Sequence, residues 1–157
     1  YQFRRARLED IPLLTHWRQQ SHVRKWWGDE ETFDSQDLSD PRVAAMIVTF
    51  DGEPFAYMQD YDVHGWDGHH FGYLPQGSRG IDQFIGKPAM LGLGHGTGFL
   101  RQRVAELFAA GASVIGTDPH PTNSRAIAVY AKVGFRVTGQ EQETGWGRVI
   151  RMEAWRP

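Results

Sequence analysis

The 157-residue chain contains no cysteine, which removes disulfide frameworks, zinc–thiolate sites and a thiol nucleophile together. Nor does it carry an excess of either charge. Its 17 Lys and Arg stand against 19 Asp and Glu, a formal net charge of −2, where a nucleic-acid binder usually shows a basic surface. No apolar run approaches the roughly 18 residues of a transmembrane helix, so no membrane partner is expected. Linker-like stretches and internal repeats are missing too. Aromatic residues, in contrast, are plentiful: 13% of the chain and six Trp, with Trp17, Trp26 and Trp27 close together. The composition is that of an ordered globular protein, and the length suits one domain, residues 1–157, around one hydrophobic core.

Residues 2–7 alternate in the manner of a strand. Asp10 is placed to cap a helix with Pro12 in its first turn, and Leu13, Leu14 and Trp17 supply that helix with an apolar stripe. A polar, acidic loop over 26–31 leads to a short helix at 35–38. Two apolar runs, 43–50 and 54–61, flank Asp51-Gly52-Glu53, a strong hairpin signal. Residues 62–78, rich in Gly, His and Asp, read as an irregular loop before a strand at 79–85. A glycine-rich turn, Leu91-Gly92-Leu93-Gly94-His95-Gly96-Thr97, runs into a helical pattern of Phe99, Leu100, Val104, Leu107 and Phe108. A buried-type strand at 112–117 precedes a loop at 118–123 and a second helix over 123–133, closed by Gly134. Residues 135–139 and 148–155 read as a final strand pair. Strands, then two β–α units, then strands again make a mixed α/β (α+β) fold with one central sheet.

A glycine-rich turn at the start of a helix offers unpaired backbone N–H groups at the positive end of the helix dipole, an arrangement suited to a pyrophosphate. It is not a Walker loop, since no Gly-Lys-Ser/Thr follows, and the turn alone is equally compatible with plain structural use. The second helix sharpens the reading: Asn123-Ser124-Arg125-Ala126-Ile127-Ala128-Val129-Tyr130 followed by Val133-Gly134-Phe135. With the turn, this pattern resembles the GNAT superfamily of N-acetyltransferases, in which the glycine turn binds the acetyl-CoA pyrophosphate and the helix tyrosine lies near the thioester sulfur. One departure is Leu91, where the family usually has Arg or Gln.

The resemblance implies a GNAT fold with acetyl-CoA as cofactor, held by Phe84, Ile85, Gly92, Leu93, Gly94, His95, Gly96, Thr97, Asn123, Ala126 and Tyr130. The His95 side chain could meet a phosphate or point to solvent. Within the superfamily the chain is most similar to aminoglycoside 6′-N-acetyltransferases, through Val23-Arg24-Lys25-Trp26-Trp27-Gly28-Asp29-Glu30-Glu31, Gly52-Glu53-Pro54, Tyr57-Met58-Gln59-Asp60-Tyr61, Gly80-Ile81-Asp82-Gln83 and Thr117-Asp118-Pro119. The loop at 62–78 matches in length and not in residues. That similarity implies a cytoplasmic enzyme, monomer or homodimer, acting on a small-molecule amine, with Trp26, Trp27, Gln59, Tyr61, Asp82, Gln83 and Asp118 facing the acceptor.

Acyl transfer to an amine needs a base, an oxyanion donor and an acid for the leaving thiolate. Asp82, on the strand before the turn, resembles the family's catalytic base; an ion pair with Arg79 is its simpler use. Tyr130 is the candidate acid, since a phenol of pKa about 10 can protonate a nascent thiolate; burial in a core is the alternative. A cationic amino sugar also calls for carboxylates, which Asp118, Glu30, Glu31, Asp60 and Asp82 can supply, and for flat faces such as Trp26 and Trp27, unless one ring is core. His64, His69 and His70 lack the spacing of a metal site. Without cysteine to carry an acyl group, direct transfer between two bound substrates is expected. Acylation of a hydroxylysine-type nitrogen in siderophore assembly, and a non-catalytic acyl-CoA-binding module, remain as alternatives.

Overall fold

The computed structural model describes residues 1–28 and 33–157. Seven strands form a mixed sheet in the order β1(Gln2–Arg5), β2(Val43–Phe50), β3(Glu53–Asp62), β4(Arg79–Ile85), β5(Val114–Thr117), β9(Met152–Trp155), β6(Arg136–Val137). β4 and β5 run parallel with Arg79 opposite Ile115, while β1–β2, β5–β9 and β6–β9 are antiparallel. The helices are α1(Ile11–Arg18), α2(Ser21–Trp27), α3(Ser35–Ser39), α4(His95–Ala109) and α5(Ser124–Lys132). Two further strands, β7(Gln142–Thr144) and β8(Gly147–Val149), make a separate ribbon. The expected mixed α/β order is present. Among the described residues no helix is long and apolar enough to cross a membrane.

The chain divides into two compact units, Tyr1–Asp60 with Asp82–Gly96, and Tyr61–Ile81 with Thr97–Pro157. The first is built on a buried cluster of Leu14, Trp17, Val23, Ala45, Ile47, Tyr57 and Phe84, against which Leu13, Trp27, Phe33 and Leu38 pack. Its β2–β3 hairpin turns at Asp51 (φ 50°) and Gly52 (φ 79°). Two successive positive φ values match the right-handed twist of the strands, which is why Asp-Gly was a reliable signal. β4 ends where Gly86 and Lys87 both donate their N–H to Phe55 O, at 2.8 and 3.1 Å. The Trp17 indole lies on Gly86, with ring carbons 2.2 Å from where a Cβ would stand. In the second unit Phe71, Leu74, Ile81, Phe99, Leu100, Val114, Ile115, Phe135 and Met152 are buried.

Three sequence expectations need correction. Asp10 precedes α1 as expected but does not cap it; its backbone is helical and its carboxylate accepts from the Arg7 N–H at 2.8 Å and from Arg4. It therefore closes the short 3-10 turn Leu8–Asp10. Trp26 and Trp27 lie in the last turn of α2 rather than in a loop, because the helix stops only at Gly28 (φ 79°), whose N–H reaches Arg24 O at 3.0 Å. The expected strand over 148–155 is split, since β8 folds back on β7 around Gly145 and Trp146 before β9 begins.

Candidate active site

In the first unit, adjacent strands β3 and β4 bring two predicted residues together. Gln59 Nε2 donates to Asp82 Oδ2 at 2.9 Å, and the Tyr57 hydroxyl donates to Gln59 Oε1 at 2.8 Å. The two-residue period of a strand places Tyr57 and Gln59 on one face of β3, and Asp82 and Phe84 on one face of β4. The Tyr57 ring stacks on Phe84 with centroids 5.3 Å apart. Burial, and after it the charge of Asp82, pushes the Tyr57 hydroxyl pKa well above the usual tyrosine range. Gln83 falls on the opposite face of β4 from Asp82 by the same alternation, and its half-buried side chain leaves Oε1 without a hydrogen-bond partner among the described residues. Asp60 is buried at the end of the unit's stretch of β3.

Both tryptophans are half-buried. Trp27 sits edge-on to Phe84 at 5.0 Å and to Tyr57 at 6.1 Å, and the Arg18 guanidinium lies 5.4 Å from its centroid. Trp26 already carries the Lys25 ammonium 4.8 Å from its ring centroid. Glu30 and Glu31 lie outside the described residues.

The glycine turn has Gly92 and Gly94 at φ 75° and 86°, and α4 starts at His95. No atom stands within 4 Å of the place a Gly94 Cβ would take, and only Ile85 Cδ1, at 3.8 Å, approaches that of Gly96. The backbone is thus open to close approach, which fits a phosphate group. The His95 imidazole lies against aromatic rings of its own unit. It packs among Tyr1, Phe50 and Phe55 at centroid distances of 5.9, 4.8 and 5.4 Å, with Nδ1 3.0 Å from the Tyr1 hydroxyl. Leu91 is half-buried, and Leu93 is 65% exposed.

In the second unit, Asp118 follows β5. Trp146, at the tip of the β7–β8 ribbon, donates its indole N–H to Asp118 Oδ2 at 3.0 Å. His70 Nε2 also lies 3.0 Å from that oxygen, at ion-pair distance but out of line for a hydrogen bond. A chain of rings continues from there: His70 on His69 at 4.5 Å, His69 on Trp66 at 5.9 Å, Trp66 on Tyr61 at 5.7 Å. His64 stands 3.7 Å from Asp62. Tyr130, on α5, is buried with its ring edge-on to Phe135 at 5.3 Å. Asn123 caps α5, its side chain accepting the Ala126 N–H at 3.1 Å. Thr97 is half-buried in the first turn of α4.

The sequence assigns no site role to Tyr57 or His70 and does not single out Trp146. Tyr57 had a usable signal, since it lies two positions before Gln59 and so on the same strand face. His70 and Trp146 had none, because 76 residues separate them and only the fold brings both to Asp118.

The mixed sheet, the glycine turn at the start of α4 and the carboxylate of Asp82 on β4 have counterparts in known proteins. Residues 7–142 match the family model of the acetyltransferase (GNAT) domain. The chain belongs to this family. It is 38% identical over 142 residues to aminoglycoside N(6′)-acetyltransferase type 1 of Klebsiella pneumoniae, covering 83% of this chain and 71% of that protein. A crystal structure of aminoglycoside acetyltransferase AAC(6′)-Ib with coenzyme A and kanamycin superposes with a TM-score of 0.87 at 34% identity, covering 98% of this chain and 94% of the other. A structure of the same enzyme with ribostamycin and coenzyme A gives the same TM-score and identity, over 98% and 92%.

Proposed function

We propose that the chain transfers the acetyl group of acetyl-CoA to the 6′-amine of an aminoglycoside, by direct transfer between two bound substrates. The observation that carries this reading is the Gln59–Asp82 hydrogen bond, which holds a carboxylate on the strand just before a glycine turn open to phosphate. The relatives named for this acetylation, and solved with kanamycin or ribostamycin, support it.

A primary amine of pKa about 10.4 arrives mostly as ammonium at neutral pH. Asp82 binds that ammonium and takes its proton, leaving a lone pair for attack. Acetyl-CoA, when bound, supplies the activated thioester carbonyl. Backbone N–H groups of residues 92–97 hold its pyrophosphate, with Phe84 and Ile85 contributing main-chain contacts from β4 and Asn123 and Ala126 contributing from the start of α5. The Tyr130 hydroxyl gives a proton to the departing sulfur. Asp118 and Tyr61 meet a second part of the acceptor, Gln59 orients the base, and Trp26, Trp27 and Gln83 serve the acceptor side more remotely. Residues 1–157 act as one catalytic domain, monomeric or homodimeric, in the cytoplasm where acetyl-CoA is made.

Thiol release with kanamycin, tested beside hydroxylysine, checks the reading. Kanamycin turnover is expected. Tyr130→Phe is expected to lower kcat about 10- to 100-fold with acetyl-CoA still bound, and Asp82→Asn to abolish most turnover. Turnover of hydroxylysine alone would favour the siderophore-type acylation, and turnover surviving both substitutions would overturn the assigned acid and base.

A further inference from the structure

We propose that His22 is a positioning residue for the acetyl-CoA side of the site: by donating to Ile85 O it fixes the last peptide of β4, the main chain that the cofactor meets. The inference rests on the proposed function, in which Phe84 and Ile85 give acetyl-CoA its main-chain contacts.

His22 Nε2, on α2, lies 2.8 Å from Ile85 O, 63 residues further along the chain. A carbonyl oxygen can only accept, so Nε2 carries a proton and donates it to the bond. The neutral Nε2–H tautomer and the imidazolium both meet that condition.

The place of this bond gives it its use. Gly86 and Lys87 both donate to Phe55 O, and two successive N–H groups on one carbonyl make a β-bulge, where the ladder is interrupted and the strand bends. Backbone groups of successive strand residues point to opposite edges. With the Gly86 N–H turned to Phe55 on β3, Ile85 O lies on the other edge of β4, and α2 rather than β3 supplies its donor. The Ile85–Gly86 peptide is thus held at both ends, its oxygen by His22 and its N–H by Phe55. Rings close in around it. The Trp17 indole leaves no room for a Cβ at Gly86, and Trp17 and Trp27 stand edge-on to Phe84 at 6.5 and 5.0 Å.

A strand end at a bulge would otherwise be free to turn about ψ of Ile85. Each main-chain contact to a bound thioester would then carry the entropy loss of ordering that peptide. His22 orders it beforehand, without taking part in proton transfer.

The test compares two amides in place of the imidazole. The Gln side-chain nitrogen can stand where Nε2 does, whereas the shorter Asn amide stands where Nδ1 does and does not reach Ile85 O. On the full chain without acceptor, His22→Asn is expected to raise the Kd for acetyl-CoA about five- to tenfold by titration calorimetry, the effect of one hydrogen bond. His22→Gln is expected to stay within about twofold of wild type. Thiol release with kanamycin should show the same rise in the KM for acetyl-CoA, with the KM for kanamycin within about twofold. A merely structural role would lower the melting temperature and leave the Kd alone. Unchanged acetyl-CoA binding in His22→Asn, a loss that His22→Gln does not recover, or equal rises in both KM values overturns the proposal. Should His22→Asn fail to fold, His22→Phe keeps a ring without the donor and is read in the same way. A wild type that binds acetyl-CoA but does not turn over kanamycin defeats the proposed acceptor and leaves this role to be decided by the Kd values, while a wild type that binds no acetyl-CoA defeats both.

Discussion

The Trp146 indole N–H and the Asp118 carboxylate, 28 residues apart in sequence, meet at 3.0 Å, with the Asp118 side chain only 8% exposed. An indole donor fixes a carboxylate without itself carrying a charge, and under the proposed function Asp118 would meet a cationic acceptor. Trp146→Phe is expected to raise the KM for kanamycin about two- to fivefold with kcat unchanged, and Asp118→Asn about tenfold, the loss of one charged hydrogen bond. Trp146 itself is 61% exposed, so its variant should melt close to the wild type. Steady-state kinetics with both variants decide the matter; equal KM values across all three would remove Asp118 from acceptor binding.

Asp10 gives a pH-dependent contribution to stability. It accepts both arms of Arg4 at 2.7 Å and the Arg7 N–H at 2.8 Å, and the Arg4 hydrogen bonds above all hold its carboxyl below the usual carboxylate range. A depressed folded-state pKa stabilises the fold above the unfolded value of about 3.9 and ceases to do so as pH falls through the folded value. Asp10→Asn should therefore cost about 1–2 kcal/mol at pH 7. In urea unfolding at pH 3 the gap to wild type should be smaller, and a gap of constant size would contradict the assignment.

Gly86 is set by space rather than by dihedral angle. A methyl group there would start 2.2 Å from the buried Trp17 ring, and neither the strand end nor the indole can retreat. Gly86→Ala is expected to destabilise by about 1–3 kcal/mol, read as a lowered urea midpoint. Combining it with Trp17→Leu should recover part of that loss relative to the sum of the two single changes.

Gly94 is the converse, open in space but at φ 86°. Gly94→Ala meets no neighbour and pays only the strain of a left-handed backbone, about 1–2 kcal/mol. If the turn holds the pyrophosphate, the KM for acetyl-CoA should rise several-fold while that for kanamycin stays put. The opposite pattern, measured by varying each substrate in turn, would relocate the cofactor.

What could be read before the structure follows from range. The Asp51-Gly52 hairpin, the Gly92–Gly94 turn and the helix expected over 123–133 are decided within a few residues, and each stands where local chemistry placed it. Asp10 shows the limit: its position was legible, but its partner Arg4 comes from a neighbouring strand, and that competing cation changed what the side chain does. Trp26 and Trp27 were displaced from loop to helix because Gly28, and not the acidic run after it, sets the stop. His95 could not be placed at all from its own surroundings, since Tyr1, Phe50 and Phe55 reach it from distant segments. The same holds for Asp118, whose neighbours arrive from residues 70 and 146.

The chain passes between its two compact units three times, after residues 60, 81 and 96. Neither unit is a continuous stretch of polypeptide, so no single cut or splice can release one of them intact. On the ribosome, the unit carrying Asp82 and the glycine turn cannot close until residue 96 has emerged, well after its first strands are available. Recombination between related genes would have to exchange both segments of a unit to keep it whole. Replacement of a segment such as 62–78, which lies within one unit, leaves all three crossings untouched.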